Sequence, residues 1–220
     1  MRRSAVGDIV YHVLNRANAR MRLFEADADY LAFMKVLAEA HDRVAMRTLA
    51  YCVMPNHWHL VLWPRVDGDL SRFMHWVTMT HAKRWHSFRK TSGTGHVYQH
   101  RYSSFAVESD RHYLTVCRYV ERNALRAGLV ARAEDWRWGS LWARRHGGPA
   151  EKAILSPGPL EYPEDWAELV NEPQSEQEEE RLRKSLSRGC PFGTASWTTA
   201  ICKLLGLQHT LRSRGRPPKQ

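Results

Sequence analysis

The chain has 220 residues, 43% of them hydrophobic, with 33 basic against 23 acidic side chains for a net charge of +10. Such a length fits one domain of ordinary size with an appendage, and the basic balance favours a polyanionic partner, nucleic acid first. No apolar run is long enough to cross a membrane, the first residues lack a secretory leader's apolar segment, and four cysteines without CxxC spacing suggest a reducing cytoplasm, with neither a disulfide framework nor a zinc knuckle.

Charge is unevenly placed. Residues 1–150 carry 23 bases and 13 acids, 151–180 one base and ten acids, and 181–220 nine bases and no acid. The pattern divides the chain into a main domain over 1–146, an acidic flexible linker over 147–180 and a basic extension over 181–220.

Residues 8–14 alternate, with Ile9, Tyr11 and Val13 on one face, which predicts a first strand. Asp27 or Asp29 can cap a helix whose apolar positions Tyr30, Phe33, Met34, Leu37 and Ala38 recur at helical spacing. Residues 46–53 read as a second strand, Pro55-Asn56 as a turn, and 57–63 as a third strand in hairpin with the second. Asp69 or Ser71 opens a helix to about Phe88, with Leu70, Phe73, Met74 and Val77 on one face. A loop at 91–95 leads to a strand over 102–108. Ser109 or Asp110 then caps a helix to about Ala127, with Gly128 as its natural end. This order begins with the split βαβ, ferredoxin-like arrangement. The expected fold class is α+β: an antiparallel sheet of four to five strands, helices on one face and the other face free for a site. Beyond Gly128 the periodicity weakens. Trp136, Trp138 and Trp142 lie among Arg132, Arg137, Arg144 and Arg145, a mixture that can stack on bases or pack a C-terminal turn onto the core. Residues 194–207 suit a short helix.

The segment His57-Trp58-His59 carries the sharpest chemical signal. Alternate residues of a strand share a face, so both imidazoles leave the sheet together, with Cα atoms roughly 6.5–7 Å apart. Trp58, Leu60 and Leu62 fill the other face. Two convergent imidazoles bind one divalent ion when a third ligand comes from elsewhere. The helix over 110–127 offers one. Tyr119 and Asn123 are four residues apart, so they are neighbours on one helix face, about 6 Å along the axis. Asn123 can lend a carbonyl oxygen to an ion. Tyr119 can bring its phenol to a phosphate held there, with the ion as Lewis acid and template. Spacing alone equally allows Tyr119 to be a core tyrosine. Tyr113, six residues earlier, projects to a different face and has no amide four residues on. His112 and Glu121 are further polar groups of this helix, read as solvated.

Four blocks widen this picture: Tyr11-His12-Val13-Leu14-Asn15-Arg16; Met54-Pro55-Asn56-His57-Trp58-His59-Leu60; Gly95-His96-Val97-Tyr98-Gln99 with Arg101-Tyr102; and Arg118-Tyr119-Val120-Glu121-Arg122-Asn123 followed by Arg126-Ala127-Gly128-Leu129-Val130. With them, residues 8–146 resemble the single-tyrosine HUH transposase domain, most closely the REP-associated tyrosine transposases. The resemblance implies that His57, His59 and Asn123 are ligands of Mg²⁺ or Mn²⁺ and that Tyr119 is the nucleophile. It also implies a 5′-phosphotyrosine link with a free 3′-hydroxyl, made on single-stranded DNA beside imperfect palindromic hairpins. The setting implied is a bacterial cytoplasm, at the nucleoid; related insertion-sequence transposases act as dimers that exchange tyrosines between subunits, whereas the REP-associated branch implies a monomer with Tyr119 acting in cis. The family's usual Asn-Pro after the tyrosine is Asn123-Ala124 here, a departure that removes no catalytic group.

Asn15, Arg16, Lys83, Arg84, Arg89, Lys90 and Arg101 are candidate phosphate contacts, with Asn15 and Arg16 foremost because they sit in a matching block. Arg214-Gly215-Arg216-Pro217 resembles an AT-hook core, in which arginines enter a narrow minor groove. Residues 188–197 resemble C-terminal extensions of the same family and suggest a second DNA-contacting element. Two competing readings stand beside nicking and rejoining. One is a hairpin-binding protein or repressor that no longer cleaves; the other is a replication-initiator or relaxase nickase with the same metal logic.

Overall fold

The computed structural model describes residues 5–212. Its framework follows the expected order: β1 (Val10–Arg16), α1 (Asp27–Arg43), β2 (Met46–Met54), β3 (His57–Pro64), α2 (Asp69–Arg89) and β4 (Ser103–Val107). The strands lie side by side as β2-β3-β1-β4, every neighbouring pair antiparallel. The fold class is thus α+β, with a four-stranded antiparallel sheet.

Local chemistry sets the helix ends. Asp29, in the first turn of α1, reaches back to accept the N–H groups of Glu25 and Ala26 at 2.8 and 3.2 Å, satisfying donors that a helix start leaves open. Asp110 caps α3 (Arg111–Glu121) by accepting the His112 N–H at 2.8 Å. After Arg122, still helical at φ −77° and ψ −11°, the chain continues as α4 (Asn123–Arg126). Gly128 ends it with φ +68°, and the Leu129 N–H folds back onto the Ala124 carbonyl at 3.0 Å.

The expectation of a free second face fails. Strand alternation sends Val13, Trp58, Leu60 and Leu62 toward α1 and α2, where they meet Phe33, Leu37, Phe73 and Val77. It sends Val10, Cys52, Val61 and Phe105 the other way, onto Val116, Cys117 and Val120 of α3. Both faces are covered because both sides of the strands are apolar over most of their length, and water would otherwise meet that surface.

Residues 147–180 are not a loose spacer either. α5 (Ser140–His146), α6 (Pro149–Ala153), α7 (Trp166–Asn171), α8 (Glu176–Arg188) and α9 (Ala195–Leu205) follow α4. Trp166, Ala167 and Val170 of α7 and Leu182 of α8 are buried in the α3-side core. Most of the acids of this stretch point to solvent, so a charge count averaged over both sides hid a sparse apolar seam. The connections also fasten both sheet edges. On the β2 edge the Val53 N–H bonds Trp138 O at 2.9 Å and the Ser156 N–H bonds Thr48 O at 2.8 Å. On the β4 edge the Phe192 N–H bonds Ala106 O at 2.8 Å, and the Glu108 N–H bonds Phe192 O at 3.0 Å. Exposed strand edges invite foreign pairing, and here the chain's own C-terminal half occupies them. Trp138 stacks on Tyr30 with ring centroids 4.7 Å apart, and Trp136 donates to Val53 O at 3.0 Å. These two indoles pack on the body.

Candidate active site

The β1–β3 register places Arg16 opposite His57 and Leu14 opposite His59. Residues directly opposite share a face, so the histidine pair and Arg16 project to the α3 side. The His57 and His59 rings lie 5.1 Å apart, centroid to centroid. His57 Nδ1 is 2.6 Å from Asn56 Oδ1. A carboxamide oxygen only accepts, so Nδ1 carries the proton and Nε2 keeps a free lone pair. His59 Nδ1 lies 2.9 Å from His12 Nε2. Burial pushes His57 down to about 4, with Arg16 and Arg126 adding to the effect. Burial also holds His59 well below the usual histidine value, and the neighbouring His12, His57 and arginines act in the same direction. Near neutral pH both imidazoles are therefore uncharged, the form that ligates a metal.

His12 is a site residue that the motif alone misses. It is 1% exposed, burial lowers it to about 3, and its Nδ1 has no partner. A signal did exist: strand alternation puts Val10, His12 and Leu14 on one face of β1, and a histidine between apolar neighbours on a covered face needs a reason.

Helix α3 brings Tyr119 to the same place, in the same chain. Its ring lies 5.9 Å from His59 and 6.4 Å from His12, edge-on to both. Asn123 Nδ2 donates to the carbonyls of Tyr119 and Val120 at 3.0 and 3.3 Å. That fixes the amide so that Oδ1 faces Arg126, whose Nη2 donates to it at 2.7 Å. The same Nη2 donates to Tyr119 Oη at 3.0 Å.

The remaining polar groups of α3 do other work. Tyr113 is wholly buried and shares a hydrogen bond with Tyr162 at 3.1 Å; burial raises its phenol far above the ordinary value. Glu121, expected in solvent, is 2% exposed and bonded to Ser140, Arg144 and Trp166. Its neighbours are α5 and α7, elements the periodicity did not place over α3. His112 pairs with Asp110 at 2.8 Å. Glu108, Asp110 and His112 form the one cluster of three histidine or acidic groups among the described residues whose ligand atoms approach within 4.8 Å of one another. It lies apart from the histidine pair, and Glu108 is already accepting the Thr194 N–H at 2.6 Å.

The candidate DNA contacts are not gathered at one place. Arg16 is exposed beside His57. Asn15 points to the opposite face, is buried, and accepts the Arg16 N–H at 2.9 Å. Asn15 and Arg101 line a cleft of about 550 Å³ together with His75, His96 and His100. Lys83 and Arg84 stand on α2, across the sheet from Tyr119. Arg84 is spent on Glu39 at 2.8 Å, and Arg89 on Glu25 and Asp29, each at 3.1 Å. Arg214 and Arg216 lie outside the described residues.

Fold and motif define an α+β chain of the histidine-hydrophobic-histidine type. The chain belongs to the IS200-like transposase family, whose model matches residues 5–123, more than half its length. Among solved structures it is similar to a REP-associated tyrosine transposase bound to a REP hairpin. The TM-score is 0.54 at 17% identity over 74% of this chain and 93% of that one, a likeness of fold. A putative transposase from Deinococcus radiodurans R1 matches with a TM-score of 0.39 and 18% identity, over 55% of this chain and 95% of that one. No curated protein matches the chain. Among the described residues no helix is long and apolar enough to cross a membrane.

Proposed function

We propose that the protein nicks and rejoins single-stranded DNA beside hairpins of the REP type, through a 5′-phosphotyrosine intermediate on Tyr119. The observation that carries this reading is the meeting of Tyr119 with His59 and His12 across the α3–sheet interface, with Arg126 bonded to both Tyr119 Oη and Asn123 Oδ1. A tyrosine buried merely as core needs no such company. Tyr113, on the same helix, has none of it.

The donor set fits a divalent ion, Mg²⁺ or Mn²⁺. His57 presents a free Nε2, His59 is neutral, and Asn123 has its amide nitrogen engaged and its Oδ1 accepting one bond from Arg126, which leaves that oxygen a second lone pair. These three residues would hold the ion, which when bound supplies Lewis-acid polarisation of the phosphate. His59 can offer Nε2 only if its Nδ1–H donates to His12 Nε2, so His12 would select that tautomer.

Each remaining step belongs to the protein. Arg16 offers charge for the backbone at the mouth of the site. Tyr119 Oη attacks phosphorus and the 3′-oxygen departs, so the phosphodiester energy stays in the tyrosyl ester. Rejoining is the reverse attack by a 3′-hydroxyl, and no high-energy cofactor is consumed. The reach of Tyr119 to its own chain's histidines favours action in cis by a monomer. The REP hairpin held by the structural neighbour supports hairpin-bearing DNA as the substrate, with the basic tail and its AT-hook-like Arg214 and Arg216 gripping the stem.

The test is incubation with a labelled single-stranded hairpin and Mn²⁺, beside Tyr119→Phe. A denaturation-resistant adduct is expected with the unmodified protein alone. Equal cleavage by Tyr119→Phe would remove the nucleophile assignment. Tight binding without cleavage by either would favour the non-cleaving hairpin binder.

A further inference from the structure

The arginines along α3 and α4 differ in what they hold. Arg118 donates to the carbonyls of Glu172 and Pro173 at 3.0 and 3.2 Å. Arg122 donates to those of Val170 and Asn171. Both fasten the end of α7 to α3. Arg126 reaches the other way. Its contacts are Tyr119 Oη and Asn123 Oδ1, and its Cζ lies 4.6 Å from the centre of the Tyr119 ring. Among the described residues it makes no ion pair with an acid. A guanidinium bonded only to neutral oxygens keeps its whole charge. With both Nη2 hydrogens engaged, the Nη1 and Nε N–H groups remain; they leave different edges of the guanidinium, so each can donate singly to an anionic oxygen such as that of a phosphate.

We propose that Arg126 is a catalytic residue of strand transfer: it binds the non-bridging oxygens of the scissile phosphate as Tyr119 Oη attacks. This rests on the reading of Tyr119 as nucleophile. In the step, the Oη–P bond forms and the P–O3′ bond breaks. The phenolic proton passes to water, and the departing 3′-oxygen takes a proton from water. Nothing is oxidised or reduced. Charge builds on the non-bridging oxygens in the transition state, where a donor already in place acts most strongly. Before DNA arrives, the same guanidinium holds the phenol and the Asn123 carbonyl in one arrangement. Its loss therefore touches both the nucleophile and the amide.

The experiment is single-turnover cleavage of the labelled hairpin with Mn²⁺ by the full chain, comparing unmodified protein, Arg126→Ala and Arg126→Lys, with hairpin affinity measured in parallel. Arg126 is exposed, so the fold should survive, and the melting temperature checks that. The Arg126→Ala cleavage rate should fall about 10²–10³-fold, as for loss of one well-placed transition-state donor, while affinity falls by about tenfold or less. Added guanidinium ion should restore part of the Arg126→Ala rate and none of any Tyr119→Phe defect. Arg126→Lys should stay well below the unmodified protein, because a compact ammonium cannot hold Tyr119 Oη and Asn123 Oδ1 and still present separate donors to the phosphate. An unchanged rate for Arg126→Ala, or a loss of rate matched by loss of affinity and blind to guanidinium, overturns the proposal alone. No adduct from the unmodified protein overturns it together with the nicking reading.

Discussion

The two faces of the sheet are built from different materials. On the α1–α2 face, Trp58 is fully buried among Phe33, Leu60 and Leu62. Its indole N–H donates to Tyr98 Oη at 3.1 Å, and that hydroxyl in turn meets His81 at 2.6 Å. The partnerless buried nitrogens on that side, Trp76 Nε1 and Arg89 Nε, belong to half-buried residues of α2. On the α3 face the core is interrupted by His12, His59, Asn123 and Glu121, all nearly or wholly buried, and one of them, His12, leaves a ring nitrogen without a partner. Burying such groups costs free energy unless something repays it. On the proposed function, the difference separates substitutions that should unfold the protein from those that should silence it.

The largest stability effects test whether each face behaves as described. Glu121→Ala removes the partner of Arg144 in a buried ion pair and should cost about 3–5 kcal/mol in urea denaturation. Trp58→Ala should cost a similar amount, about 3–5 kcal/mol, by opening a cavity on the other face. A loss under about 1 kcal/mol for either would mean that face is not packed as seen. Acid titration comes next. His12 sits at about 3, and His57 and His81 at about 4, all below the ordinary 6.5. The unfolded chain therefore binds protons that the folded chain does not. Stability is complete above pH 6.5 and falls as pH drops toward 4, by about 1.4 kcal/mol per pH unit for each such histidine. His12→Phe should flatten that slope by one histidine's share; an unaltered slope would put His12 in water. The smallest effect separates the arginines. Arg84→Ala breaks an exposed pair with Glu39 and should cost about 1 kcal/mol or less without altering DNA binding. Arg16→Ala should leave stability unchanged and reduce the salt slope of binding by about one. Equal salt slopes for the two variants would dissolve the distinction.

Much of the α1–α2 side was legible in the chain. The 3.6-residue recurrence of Tyr30, Phe33 and Leu37, and of Leu70, Phe73 and Val77, points both helices at one face of an alternating sheet. Asp29 and Asp110, each one of two capping candidates, and the terminator Gly128 were readable because they act locally. The far face was not, because what covers it comes from distant sequence. Trp166 and Val170 are isolated apolar residues in an acidic stretch, and only long-range packing onto α3 gives them meaning. The same cause hid the burial of Glu121, whose partners Ser140, Arg144 and Trp166 lie 19 to 45 residues away. At the site, His57, His59, Tyr119 and Asn123 were named from spacing and family resemblance, and the fold brings Tyr119 against His59 and bonds Arg126 to Asn123. His12 and Arg126 lay inside the matching blocks, but their roles depend on which ring nitrogen or hydroxyl they meet.

The central claim is that Tyr119 is the residue joined to DNA. Its most direct test is to form the adduct with Mn²⁺ and a single-stranded hairpin, digest the protein, and locate the nucleotide-bearing peptide by mass spectrometry. The mass should fall on Tyr119, in the peptide between Arg118 and Arg122. A nucleotide on Tyr113, on Tyr98 or on any other tyrosine would contradict the account.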